Sequence, residues 1–133
     1  MIIKSFETRK INIKQNKLIL FYGKNDQIKK EAIENLTNSK KQIVNYEQNE
    51  ILDNEDYFVE SISSKSLFEE EKVIIIKRAT DKIINLLEKI KEINLEDILI
   101  IIVAENLEKK SKLRSIFEKD KELISVAFYP DPI

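Results

Sequence analysis

The chain has 133 residues, enough for one domain of ordinary size, and 42% of them are hydrophobic, enough to build a core. Lys and Arg number 23 against 24 Asp and Glu, and the net charge of -1 argues against a domain built only for charge-driven nucleic-acid binding, while leaving room for a local basic face. There is no Cys and no His, so disulfides, thiolate or imidazole zinc sites, and Ser-His or Cys-His nucleophile pairs are excluded.

Met1 to Gln15 has the weakest pattern. Ile11 and Ile13 alternate with polar residues, which suits a short edge strand, while Phe6 and Ile13 fit a helical turn equally well. Leu18 to Tyr22 is a compact apolar run, read as a strand, and Gly23 follows at once. Lys24-Asn25-Asp26 is a turn with residues suited to an N-cap. The next spacing is helical, with Ile28, Ala32, Ile33 and Leu36 on one face and Lys29, Lys30, Glu31 and Glu34 on the other. Gln42 to Tyr46 reads as a more polar strand nearer an edge. Tyr57, Phe58 and Ile62 place a helix over Asn54 to Ser64.

Lys72 to Lys77 holds the β-branched run Val73 to Ile76, the signature of a strand buried on both faces. Thr80-Asp81 caps a helix whose stripe is Ile83, Leu86, Leu87 and Ile90. Asp97 to Val103 is the strongest strand. Leu113, Ile116 and Phe117 are the buried side of the last helix, and Leu123 to Phe128 closes as a strand. Pro130 and Pro132 then end regular structure, as at the boundary of a first domain spanning 1–133. Strands alternating with helices predict an α/β fold, a mostly parallel five-stranded sheet flanked by helices.

The longest apolar run, Ile98 to Ala104, is far short of the ~20 residues a membrane-spanning helix needs. No extended apolar region or small-residue cleavage site follows Ile2, Ile3 and Lys4. The expectation is a cytoplasmic protein with no membrane partner.

Strand, glycine and helix is where a phosphate loop would lie. Such a loop needs a second Gly, then Lys, then Ser or Thr, so that backbone N–H groups curl around phosphates and a hydroxyl holds magnesium. Here Ile28 stands at the second Gly position, Lys29 keeps the Lys, and Lys30 replaces the hydroxyl. Asp26 adds negative charge, and Val73 to Ile76 ends in Lys77-Arg78, the wrong charge for holding a metal. No cofactor and no ATP hydrolysis are expected.

Four segments carry a family resemblance: Leu20-Phe21-Tyr22-Gly23 opening the first helix, Ser66-Leu67-Phe68 before Lys72 to Ile76, Asn106 to Arg114, and Phe128-Tyr129-Pro130. In this order and spacing the chain resembles the N-terminal domain of the delta subunit of the bacterial DNA polymerase III clamp loader. The resemblance implies an AAA+-like, P-loop NTPase-like domain with a degenerate phosphate loop and no intrinsic catalysis. It implies binding to the sliding clamp (the beta subunit), whose ring this subunit opens during DNA replication, and further domains that join other clamp-loader subunits.

Ser66, Leu67 and Phe68 would be the partner-binding residues, with Leu67 and Phe68 filling a hydrophobic pocket on the clamp. Read alone, the Leu-Phe pair looks more like core at a helix end, since most such residues are buried. Some family members carry a Gln five residues before the Phe, where this chain has Ser63. Lys109, Lys110, Lys112 and Arg114 are the candidate DNA contacts in an assembled loader, although Glu105, Glu108 and Glu118 suit a solvated helix start. The alternative readings are a nucleotide-binding α/β regulatory domain and a DNA-binding module.

Overall fold

The computed structural model describes residues 1–13, 15–37, 42–63, 72–95 and 97–129. Six strands form one all-parallel sheet: β1 (Ile2–Lys4), β2 (Leu18–Tyr22), β3 (Gln42–Glu47), β4 (Lys72–Lys77), β5 (Ile98–Val103) and β6 (Ile124–Ala127). Their order across the sheet is β1-β6-β2-β5-β4-β3. Among the described residues the α-helices are α1 (Asp26–Thr37), α2 (Gln48–Leu52), α3 (Glu55–Ser63), α4 (Ile84–Lys91) and α5 (Lys112–Lys119). None of the helices described is long and apolar enough to cross a membrane.

The central strands are apolar on both faces because both faces are covered. Leu20, Ile74, Ile76, Ile100 and Ile102 pack towards α2, α3, α4 and α5. Ile19, Phe21, Val73, Ile75 and Ile101 pack towards α1 and Ile11 on the opposite face. The α4 stripe predicted from spacing is fully sunk: Ile83, Leu86, Leu87 and Ile90 are at most 1% exposed. Each such side chain contributes about 1.5–3 kcal/mol of burial, more than the exposed face of this short helix could supply.

The sheet has six strands rather than five, and the extra one is not where Ile11 and Ile13 suggested. β1 is Ile2–Lys4, a 3-10 helix follows over Ser5–Lys10, and Ile11 is buried beneath it. A three-residue strand shows no readable alternation, and partners contributed by β6, more than a hundred residues away, form it. α2 was likewise unread. It starts directly from β3 through a capping box between Glu47 and Glu50. Two of the predicted caps are present: Asn25 Oδ1 accepts from the Ile28 N–H at 3.2 Å, and Thr80 Oγ1 accepts from the Lys82 N–H at 3.3 Å, at the 3-10 turn Asp81–Ile83 that leads into α4.

Candidate functional site

Ser66, Leu67 and Phe68 lie outside the described residues. Their flanks are described: α3 ends at Ser63, and β4 begins at Lys72, whose N–H donates to Asp97 O at 2.9 Å. From there Val73 to Ile76 run buried on both faces between β3 and β5. Ser63 is exposed, and its hydroxyl donates back to Val59 O at 2.5 Å, within its own helix. That bond occupies the donor which a partner-contacting Gln side chain would offer.

The opposite end of the sheet, where the strands finish, holds Gly23, Lys29 and the basic stretch. Chain connections diverge between β2 and β5: β2 leads through α1 to β3, while β5 leads through α5 to β6 on the other side. In open parallel sheets the crevice at such a point is the usual ligand position. Here backbone groups on either side of that point bond to one another. The Gly23 N–H donates to Glu105 O, the Ala104 N–H to Phe21 O at 2.8 Å, and the Asn25 N–H to Phe128 O at 3.1 Å.

Gly23 has φ +118°, and a Cβ there would overlap the Phe128 carbonyl oxygen and stand 2.7 and 2.8 Å from its carbon and nitrogen. Lys29 departs from expectation. Its spacing placed it on the polar face of α1, yet its side chain is 6% exposed, with Nζ donating to Ala104 O at 3.1 Å and pairing with Asp26 at 3.1 Å. The ammonium is thus held within the protein by a strand-end carbonyl and a carboxylate.

The basic stretch divides. Lys109, Lys110 and Lys112 are exposed, and Lys110 pairs with Glu108 at 3.4 Å. Arg114 turns inward. Its guanidinium stacks over the Tyr22 ring at 5.2 Å and donates to Leu107 O at 3.0 Å and to Glu118 at 3.3 Å. Burial and a hydrogen bond with Tyr129 push the Tyr22 phenol up in pKa, so Tyr22 stays neutral beneath that charge. The role of Arg114 is invisible in sequence because Tyr22 lies 92 positions before it (114 − 22).

A polar strut that sequence reasoning missed anchors this stretch. Gln48, 3% exposed, donates to Thr80 Oγ1 at 3.0 Å and accepts from the Thr80 N–H at 2.7 Å. The next residue, Asp81, takes the N-terminus of α5, accepting from Ser111 Oγ at 2.8 Å and from the N–H groups of Leu113 and Lys112 at 3.1 and 3.2 Å. A cavity of about 740 Å³ opens beside it between Arg78, Lys82, Leu107 and Lys110. Arg78 leaves β4 in the left-handed region, φ +55°, and its exposed side chain pairs with Glu47. On the α1 face a groove of about 610 Å³ runs from the strand ends at Lys29, Ala104 and Glu105 over Ile33, Ile43 and Ile75.

Burial alone would raise the Asp81 pKa, but the Ser111 hydroxyl and the Leu113 and Lys112 N–H groups outweigh it and hold the carboxyl below its ordinary range. The folded pKa is therefore below the unfolded one. The stability this contributes is present above about pH 4 and is lost as pH falls through the folded value. Asp81→Ala is expected to cost about 1–2 kcal/mol at pH 7, read from urea midpoints, and less at pH 3. A cost that stays constant from pH 7 to pH 3 would contradict the charged cap.

No family model matches the chain, and no curated protein matches it either.

Proposed function

We propose that this chain is a non-catalytic clamp-loader domain that binds the DNA polymerase III sliding clamp through a Leu-Phe plug and helps to open the ring during replication. The observation that carries the reading is Ser66-Leu67-Phe68 in the segment leading into Lys72–Lys77, in sequence order with the other segments of the delta-subunit resemblance. On this reading the all-parallel sheet is AAA+-like, with the turn at Gly23 a phosphate loop that no longer takes nucleotide.

Two arrangements support it. The backbone donors of Gly23 and Asn25 are directed at the protein's own carbonyls. The ammonium of Lys29, at the phosphate-loop lysine position, is paired within the fold. A nucleotide would have to displace these contacts, and Ile28 and Lys30 supply neither a close backbone approach nor a magnesium ligand. β4, buried on both faces, suits a mount that must transmit force without bending. In a longer chain, other clamp-loader subunits would be further partners. Lys109, Lys110 and Lys112 are exposed, as both a solvated helix start and a secondary contact with DNA phosphates in an assembled loader require, whereas Arg114 is engaged within the fold.

A photo-crosslinking amino acid in place of Phe68 tests the reading. Illumination with the sliding clamp is expected to join the two proteins at a hydrophobic pocket of the clamp. Crosslinks only within the chain would return Phe68 to its own core and overturn the proposal.

A further inference from the structure

The two ends of the sheet order are built differently. β1 is three residues long and ends in Lys4, two of the usual protections of an edge strand. β3, at the other end, has neither. Its six residues, Gln42 to Glu47, include no Lys and no Pro. They pair with β4 in unbroken register, Gln42 with Lys72 through Glu47 with Lys77, so no bulge bends the edge away. Among the described residues no strand pairs with its outer side. Every second residue of β3 therefore turns its N–H and C=O outward, a template to which another extended backbone can add.

The two faces of this edge differ in chemistry. On the α1 face Ile43 is 44% exposed and borders the groove together with Ile33 and Ile75. On the other face Tyr46 packs edge-on against Phe58 at 5.6 Å, so α3 lies over it. From Gln42 to Ser63 the chain has six carboxylates and no Lys or Arg. Glu47 pairs with Arg78, and Glu55 with Lys89 at 3.6 Å. Glu50, Asp53, Asp56 and Glu60 are exposed and form no ion pair among the described residues. Tyr57, in the same stretch, is 69% exposed and offers a ring over which a Lys or Arg side chain can lie. This charge decides the occupant. A second copy pairing β3 with β3 would bring two acidic segments together, which like-charge repulsion opposes, whereas a basic strand is attracted.

We propose that the outer edge of β3 is a docking surface for an extended, basic segment of a partner protein, which adds to the sheet beyond β3. Backbone hydrogen bonds hold the added strand, and its successive side chains fall on opposite faces. Those on the α1 face are apolar and lie beside Ile43 at the groove. Those on the α3 face are Lys or Arg, in the field of Asp56 and Glu60. The surface involves neither Leu67 nor Phe68, so the inference stands or falls apart from the clamp-loader reading.

Titration of the full chain with a short, fluorescently labelled peptide of alternating Val and Lys tests this, read by anisotropy and by amide hydrogen exchange. Saturable binding is expected, with exchange slowed in Gln42–Glu47 and unchanged in β1 and β6. A peptide of the same composition with Val and Lys in separate blocks, and one with Glu in place of Lys, are each expected to bind at least about tenfold weaker. Asp56→Lys/Glu60→Lys changes two exposed side chains and is expected to weaken the Val-Lys peptide by a similar factor, with the urea midpoint unchanged. Equal binding of the block peptide would reduce the effect to charge alone and overturn the proposal. So would no saturation at millimolar peptide, or protection mapped away from β3. A concentration-dependent dimer that protects β3 without peptide would assign the edge to a second copy and also overturn it.

Discussion

Gly23→Ala is expected to lower stability by about 3–5 kcal/mol, enough to move the urea midpoint by more than 1 M. Two costs combine. A residue with a Cβ at φ +118° is strained by about 1–3 kcal/mol. The Cβ also meets the Phe128 carbonyl, and that carbonyl cannot retreat cheaply. It accepts from the Asn25 N–H, while the Phe128 N–H donates to Tyr22 O at 2.7 Å and the Phe128 ring packs edge-on against Phe21 at 4.9 Å. Moving β6 aside would break these contacts together. A midpoint shifted by less than the equivalent of about 1 kcal/mol would mean that the turn is looser than its packing implies. The same packing bears on function: a loop held this tightly by its own strand ends is poorly suited to wrapping a phosphate.

What could be read from sequence follows from how local each signal is. β4 and β5 carry continuous apolar runs rich in β-branched residues, the signature of a strand covered on both faces. The α4 stripe has helical spacing over two turns. β1 and α2 are three and five residues long, too short for periodicity, although Ile3 and Ile51 both reach the core. Lys29 and Arg114 were misleading for a related reason. Charged residues at helical spacing read as solvated, yet the strand-end carbonyl of Ala104 holds one and the Tyr22 ring the other, both supplied by distant parts of the chain. The Asp81 strut escaped because a carboxylate in one turn serves the helix that starts thirty residues later. For the Leu67–Phe68 segment the sequence supplied the candidate and the described fold supplies only its flanks.

The central claim is that Leu67 and Phe68 grip a partner instead of completing the core. The two alternatives predict opposite results for Leu67→Ala/Phe68→Ala. As core, the pair would lose stability by about 4 kcal/mol or more. As a plug, its loss would leave the urea midpoint within about 0.5 kcal/mol of the parent and act on affinity alone. Burying both side chains in a pocket contributes about 3–6 kcal/mol before association costs, so the affinity loss is expected to be on the order of a hundredfold or more. Calorimetric titration of the sliding clamp with the parent chain and with this double variant is the most direct measurement. The account predicts saturable binding for the parent, and for the variant at least a hundredfold weaker binding with an unchanged midpoint. Equal affinity for the two chains, or no binding by the parent, would contradict it.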